Sequence, residues 1–189
     1  MQSENNPETE KATCDNDVIR SILGRRSIRT FESRSVESEK VEALLECAFA
    51  APSAMNIQPC HLMVIDEVFL LKEIGAVHER TEMVAGAPLA IAVCVDVANY
   101  EKKHNLTDGT WMEDSSCVME NILIAARSLG LEGAWLQITN RSEREESVLR
   151  LLNIPEGVKL FALAVLGYGA ESKAPHCGVD SSRLHYNGW

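Results

Sequence analysis

The sequence predicts one α+β domain, and three observations indicate this class. The chain has 189 residues, the length of one domain or of a domain with a tail. Its composition, 46% apolar and 24% charged, is typical of a globular protein. Apolar residues at helical spacing alternate along the chain with short apolar runs typical of strands. With no internal repeat or interdomain linker, we expect a single domain over residues 18–189, preceded by a flexible acidic tail over residues 1–17.

The predicted elements follow from hydrophobic periodicity and from glycine and proline positions. In chain order they are helix 18–24, a basic connector 25–34, a helix from 35 or 38 to 51, strand 61–65, helix 68–77, strand 89–97, a surface loop 99–110, helix 114–129, strand 133–138, helix 142–152, strand 158–166 and an extended C-terminal arm 167–189.

Local residues define the ends of these helices. Asp15 or Asp17 can cap the first helix, and Gly24 can end it. Pro52 ends the second, because the residue before a proline is pushed out of the helical region. The pair Ser142/Glu145 has the spacing of a capping box and predicts the start of a late helix.

One strand is predicted to lie at the centre of the sheet. The run Leu89–Val97 is apolar on both faces, which is typical of a strand covered on both sides. The longest apolar stretch, around Pro88–Val95, is much shorter than the ~20 residues that a membrane helix needs. We therefore expect a soluble protein.

Charge and cysteine content exclude several functional classes. A net charge of −10 argues against nucleic acid as a partner, because the phosphate backbone would be repelled. The acidic start lacks the features of a secretory signal. The six cysteines contain no Cys-x-x-Cys pair and no metal-finger spacing, so we predict structural thiols and no metal site. We expect a cytoplasmic protein. The alternative to structural thiols is a thiol-based redox enzyme.

A cluster of arginines follows the first helix. Five of the eleven arginines fall between residues 20 and 34 of an otherwise acidic chain. Within the run Arg25–Arg29, guanidinium forks and a serine hydroxyl come just after a helix end, and such forks match phosphate geometry. The simpler interpretation is a solvated run of charges.

A proline-bounded loop follows the second helix. In the run Ala51–Pro59, two prolines bracket Ser53, Asn56 and Gln58, which makes a stiff loop with amide donors and acceptors in fixed directions. A planar heterocycle with donors and acceptors on its edge is a natural ligand. Alternatively, these residues satisfy the backbone of a helix-to-strand turn.

In combination, these two runs resemble the N-terminal motifs of the FMN-dependent nitroreductase family. The resemblance continues in order to the end of the chain, so that it spans about Val18–Trp189. The further matching segments are Trp111–Asp114, Glu120–Ala126, Leu129–Trp135, Gly167–Gly169 and His185–Trp189.

The resemblance implies a nitroreductase-like fold, in which helices flank a central mixed or antiparallel sheet and two copies form an intertwined homodimer. It also implies one FMN per site, bound by residues of both subunits. Arg25, Arg26 and Ser27 would hold the FMN phosphate and ribityl chain, and Arg29 would lie near the N1 and C2-carbonyl edge of the ring. The remaining expected contacts are Pro52, Ser53 and Asn56 from the partner subunit, and the backbone amides of Gln137 and Ile138 near N5.

The chain departs from the family pattern at two places. Many members have Trp where this chain has Cys60. The C-terminal basic residue that usually contacts the phosphate is missing from its expected position: either the phosphate loses one cation, or Lys173, His176 or Arg183 replaces it. Trp111 could line the acceptor pocket or pack in the core.

The activity that the resemblance implies is ping-pong electron transfer from NAD(P)H through FMN to small acceptors such as nitroaromatics or quinones. We assign no catalytic acid or base, because the flavin makes and breaks the bonds. The chain has no Gly-x-Gly-x-x-Gly run, so the nicotinamide would be a transient ligand. The alternatives are a specialised relative that performs reductive dehalogenation or flavin fragmentation, a flavin-holding electron-transfer protein, and a flavin-free interaction module.

Overall fold

A computed structural model describes residues 16–104, 109–140, 142–176 and 178–189. The predicted acidic tail lies outside these residues except for its last two positions, as do Cys14 and Cys177. No helix within the described ranges is both long enough and apolar enough to cross a membrane.

Seven helices and four strands make up the regular structure of these ranges. In chain order they are α1 (Asp17–Gly24), α2 (Ser38–Phe49), β1 (Cys60–Ile65), α3 (Val68–Ala76), α4 (Glu82–Ala85), β2 (Leu89–Asp96), α5 (Val97–His104), α6 (Thr110–Ser128), β3 (Glu132–Gln137), α7 (Ser142–Leu151) and β4 (Val158–Gly167). Short 3-10 turns occur at Ala54–Asn56, Glu79–Thr81 and Ser181–Arg183.

The four strands form one antiparallel sheet in the order β1-β2-β4-β3. Strand β2 therefore has a partner on both sides, and Leu89–Val95 is buried, as the sequence predicts for a doubly covered central strand. The predicted α+β class with an antiparallel sheet and flanking helices is confirmed.

Helices cover both faces of the sheet. Side chains that alternate along β2 enter different cores, with Ile91 and Val93 on one face and Ala90 and Ala92 on the other. Helices α2 and α6 pack on the first face; α3, α4 and α7 pack on the second. The fold is a sheet between two helical layers.

Residues 99–110, predicted to be a surface loop, are partly helical. Helix α5 runs through His104, and α6 begins at Thr110, four residues before the predicted start; residues 105–108 lie outside the described ranges. Asp96 stabilises the start of α5 by accepting the backbone N–H of Asn99 at 3.0 Å. Tyr100 is buried. Val97 packs against the same core, and these tertiary contacts hold a helix in a segment of polar composition.

The helix caps differ in detail from the prediction. Asn16, and not Asp17, caps α1: its Oδ1 accepts the N–H of Ile19 at 3.0 Å, whereas Asp17 pairs with Arg20. Asp15 lies outside the described residues. Helix α1 ends at Gly24, as predicted. Helix α7 begins at Ser142, as predicted, and Glu145 accepts the N–H of Asn140 at 2.9 Å.

The basic connector is fixed against the ends of β3 and β4. Ser27 forms a parallel bridge with Gly133, and Ile28 donates its N–H to the Gly133 carbonyl at 3.1 Å. Phe31 forms an antiparallel bridge with Gly169. These backbone contacts hold the arginine run at the edge of the sheet.

Replacing Gly133 with alanine should destabilise the fold, because a Cβ there would lie 2.7 Å from Leu166 Cδ2 and 2.9 Å from the Val165 carbonyl oxygen. Overpacking of this kind costs about 1–3 kcal/mol. We expect G133A to lower the melting temperature by about 3–10 °C. The control is G188A, where nothing lies within 4 Å of the added Cβ; equal melting temperatures for the two variants would contradict the prediction.

Candidate functional site

A cavity of about 740 Å³ lies where the connector, the end of β3, α7 and residues 79–86 meet. Its volume is in the range of small-molecule and cofactor sites. Among its lining residues, Arg29 and Gln137 were predicted to belong to one site although they are far apart in sequence. Arg80 and Arg144 were not predicted. Neither belongs to a sequence motif that indicates a ligand site.

The arginine connector contains a buried guanidinium nitrogen without an acceptor. Arg26 donates from Nε to the Ala174 carbonyl at 2.7 Å and from Nη1 to the Arg25 carbonyl. Its Nη2 is buried and has no hydrogen-bond partner among the described residues. Arg25 is half-buried and lies 3.8 Å from Glu120, which is a long ion pair. The run therefore retains donor capacity for an anionic ligand.

One of the three candidate basic residues from the C-terminal region reaches the connector. Lys173 Nζ donates to the Ser27 carbonyl at 2.5 Å. Arg183 pairs instead with Asp180 at 2.8 Å, and His176 is exposed. Of the three, the structure brings Lys173 to the predicted phosphate-binding residues.

A carboxylate of the same segment orients Arg29. Glu171 Oε1 accepts the backbone N–H of Arg29 at 2.6 Å. This hydrogen bond, assisted by the charge of Lys173, lowers the pKa of Glu171. The arm after β4 therefore fixes the connector through both Glu171 and Lys173.

Gln137 is held rigidly at the end of β3. Its carbonyl accepts Arg144 Nη2 at 2.6 Å, and its side-chain amide donates to the Phe161 carbonyl at 2.9 Å. Trp135 Nε1 donates to the Gln137 Oε1 at 2.9 Å. Ile138 is fully buried, and its N–H is donated to the Phe161 carbonyl at 3.2 Å. A ligand contact through the Ile138 amide would require this bond to be given up.

The proline-bounded loop lines a different cavity, of about 180 Å³. Pro52, Ser53 and Cys60 line it together with Asp114 of α6. It shares no lining residue with the Arg29 cavity. Within one chain, the structure does not bring the two predicted halves of the site together.

The backbone of this loop is strained. Met55, Asn56 and Gln58 have φ values of 49°, 56° and 51°, in the left-handed region that side chains disfavour. Such conformations persist only where the surroundings impose them, and they are frequent at ligand sites. Ser53 Oγ accepts the N–H of Gln58 at 2.8 Å, and Asp114 Oδ1 accepts the N–H of Ala54 at 2.8 Å. Asp114 thus fixes the loop from outside.

The cysteine next to the loop is a packed thiol. Cys60 Sγ lies 3.5 Å from Ser115 Oγ, and burial raises the pKa of Cys60. Burial also raises the pKa of Cys94, to about 12. Both thiols are therefore protonated at neutral pH, which disfavours the thiol-based alternative at these positions. The four described cysteines, which also include Cys47 and Cys117, are free.

A charged cluster holds the far end of the connector. Glu37 accepts the Tyr168 hydroxyl at 2.6 Å and Arg34 Nη2 at 2.5 Å, and Arg34 lies 4.0 Å above the Tyr168 ring. These bonds lower the pKa of Glu37 to about 2, the Tyr168 hydroxyl contributing most.

Glu37 should make stability depend on pH. A carboxyl whose pKa is lower in the folded state stabilises the fold above its unfolded value, near 4.5, and this stabilisation is lost as the pH falls through about 2. We expect E37Q to be less stable than the wild type at pH 7 and to approach it at pH 2. Denaturant unfolding at both pH values measures this; the exposed Glu42 on α2, the helix that begins directly after Glu37, supplies the control E42Q. A stability difference that does not change with pH would contradict the assignment.

Comparisons with known proteins all identify the same family. The sequence profile of the nitroreductase family matches residues 22–81 and 67–168. A protein of Methanothermobacter thermautotrophicus, provisionally named NADH dehydrogenase/NAD(P)H nitroreductase, is 38% identical over 92% of this chain and 88% of its own length.

Solved structures agree with this match. One, from Bacteroides thetaiotaomicron and of the same provisional name, superposes with a TM-score of 0.84 at 29% identity, covering 93% of this chain and all of that chain. An FMN-dependent nitroreductase of Clostridium difficile has a TM-score of 0.81 at 26% identity, over 90% of this chain and 99% of its own. With the antiparallel sheet and its two helical layers, these matches show that this chain belongs to the nitroreductase family.

Proposed function

We propose that this chain is an FMN-dependent NAD(P)H oxidoreductase that reduces small organic acceptors such as nitroaromatics or quinones. The observation that carries the proposal is the cavity in which Arg29 and Gln137 lie together on a nitroreductase fold. The names of the relatives support the same chemistry, since they include NAD(P)H nitroreductases and an FMN-dependent nitroreductase. We further propose that residues 18–189 form the FMN-binding domain and that the enzyme works in the cytoplasm.

The residues of the connector fit the phosphate end of FMN. Within the described ranges, Arg26 Nη2 is a buried donor without an acceptor, and a phosphate oxygen would satisfy it. Arg25, Ser27 and Lys173 add two positive charges and a hydroxyl beside it. Guanidinium forks bind phosphate through paired, charge-assisted hydrogen bonds.

The residues around the cavity fit the ring end. When bound, FMN supplies the relay that takes two electrons from the nicotinamide and passes them to the acceptor. Arg29 supplies a fixed positive charge at the cavity wall, where it stabilises negative charge that develops on a ligand. Gln137, held by three hydrogen bonds, supplies a rigid part of the cavity wall, and Ile138 follows it directly in the chain. Phe31 and Trp135 add apolar surface to the cavity wall.

We propose that Pro52, Ser53 and Asn56 reach this site from the partner subunit of a homodimer. Several large apolar side chains are exposed in one protomer and need a partner. They lie on α1, at the end of α2, in the loop and on the C-terminal arm: Val18, Ile22, Leu23, Phe49, Met55, Val179, Leu184, Tyr186 and Trp189. A second copy would cover them, which sedimentation analysis tests directly; a monomer at micromolar concentration would contradict this part of the proposal.

Anaerobic reduction tests the function. The purified protein should be yellow, release FMN on denaturation, and bleach when NADH or NADPH is added. Nitroaromatic or quinone acceptors should then restore the colour with turnover. Colourless protein that cannot be loaded with FMN would overturn the proposal, and bleaching without turnover on any acceptor would leave an electron-transfer role instead.

Lys173 should contribute to FMN affinity more than Arg183 does. Its ammonium group lies at the connector, 3.5 Å from Glu171 Oε1, whereas Arg183 pairs with Asp180 of its own segment. A hydrogen bond to a charged group is worth about 1.5–3 kcal/mol, so K173A should weaken FMN binding about 10- to 100-fold. Fluorescence titration of the apoprotein with FMN measures this, with R183A as the control. A larger loss in R183A would reverse the assignment.

A further inference from the structure

Helix α7 contributes a buried cation to the cavity of Arg29. Arg144 lines this cavity and is 8% exposed, although arginine is seldom buried. Its Nη2 donates to the Gln137 carbonyl at 2.6 Å. The Arg144 guanidinium therefore differs from a solvated surface charge, because it is buried, lines the cavity and is hydrogen-bonded to another lining residue.

The charges around this cavity are unlike those of the whole chain. The chain has a net charge of −10, yet the cavity is lined by Arg29, Arg80 and Arg144 against Glu79 and Glu82. The lining charge is therefore +1. Arg29 and Arg80 are exposed, so water screens them, whereas Arg144 is not. Of these three cations, Arg144 acts in the lowest dielectric.

We propose that Arg144 is a positioning and electrostatic residue that makes the bound flavin easier to reduce. The inference rests on the proposed FMN function. Its guanidinium holds the Gln137 carbonyl, and with it the end of β3, in one orientation. Two-electron reduction adds negative charge to the flavin, and a buried positive charge beside the cavity stabilises the reduced form over the oxidised form.

The effect should appear as a change in the reduction potential of the bound FMN. If Arg144 had only a structural role, this change would not depend on whether the substituted residue carries a charge. For R144Q and R144M, we expect the preference for reduced over oxidised FMN to fall about tenfold. For a two-electron couple this is a potential lower by about 30 mV. R144K keeps the charge and should stay close to the wild type. Methionine, unlike glutamine, adds no polar group that would need a hydrogen-bond partner at this buried position. At least one of the two neutral variants, R144Q and R144M, should therefore fold.

The experiment is anaerobic titration of the FMN-loaded protein against a reference dye, with FMN dissociation constants measured in parallel. The matched control is R150Q on the same helix, because Arg150 is exposed and contacts Ser147 at 3.3 Å. A wild type that retains no FMN would refute the proposed function itself. With FMN bound, a potential for both neutral variants equal to that of R150Q overturns the inference. A drop in R144K as large as in R144Q overturns it too, because geometry and not charge would then be responsible.

Discussion

Replacing Arg25 with alanine is expected to yield folded but largely colourless protein. Arg25 lies at the start of the connector, where its guanidinium can form two charge-assisted hydrogen bonds to the FMN phosphate. Each is worth about 1.5–3 kcal/mol, so FMN should bind about 100-fold more weakly or worse. S27A, which removes a hydroxyl, should also lose most of its flavin during purification, with a smaller loss of affinity of about tenfold.

The fold of R25A should be nearly unchanged. Among the residues that the structure describes, the Arg25 side chain has one ion pair, to Glu120 at 3.8 Å, and partly exposed pairs contribute about 1 kcal/mol or less. The melting temperature of the apoprotein should therefore shift by only a few degrees. R20A is the matched control, since Arg20 lies on α1 and pairs with Asp17. Full flavin occupancy in both R25A and S27A would refute the phosphate assignment.

The sequence predicted well those features that depend on local order. Apolar periodicity placed the helices and strands, and the two-faced apolar run of Leu89–Val97 identified the central strand. The arginine connector was found because charge is concentrated there against the average of the chain. Its function was inferred from the order of the motifs along the chain, because the same motifs occur in the same order in the nitroreductase family.

Residues that enter the site from distant segments could not be predicted. Arg144 lies four residues before the buried Val148, on the apolar face of α7, but an arginine on that face does not by itself indicate a cavity. Arg80 lies in a polar turn, and both side chains reach the cavity through the packing of α7 and of residues 79–86. Helix α5 was missed because its sequence is polar, although Tyr100 is buried and Val97 packs against the same core. Asp114 resembles an acidic residue in the first turn of a helix, where carboxylates are common, yet it is only 4% exposed.

Burial gives Asp114 a role that its sequence position does not suggest. Its Oδ1 accepts the N–H of Ala54 at 2.8 Å, and its Oδ2 accepts the Tyr100 hydroxyl at 3.3 Å. One carboxylate therefore joins α5, α6 and the strained proline-bounded loop. Without it, the Ala54 N–H and the Tyr100 hydroxyl would each lose this acceptor, and the left-handed residues would be held by hydrogen bonds from within the loop, such as that from the Gln58 N–H to Ser53 Oγ.

D114A should accordingly cost about 3–5 kcal/mol, the value of two hydrogen bonds to a buried charge. For a chain of this length, the melting temperature should fall by about 10 °C or more. D114N keeps an acceptor for Ala54 and should recover part of the loss, and Y100F should cost only about 1 kcal/mol.

If the loop closes over FMN from the partner subunit, D114A should also bind FMN more weakly even at temperatures where it is fully folded, and Y100F much less so. Thermal unfolding of the apoproteins separates the two effects from FMN titration at low temperature. A D114A protein that melts like the wild type and keeps its flavin would mean that the loop holds its conformation unaided, and the carboxylate would then have no part in the site.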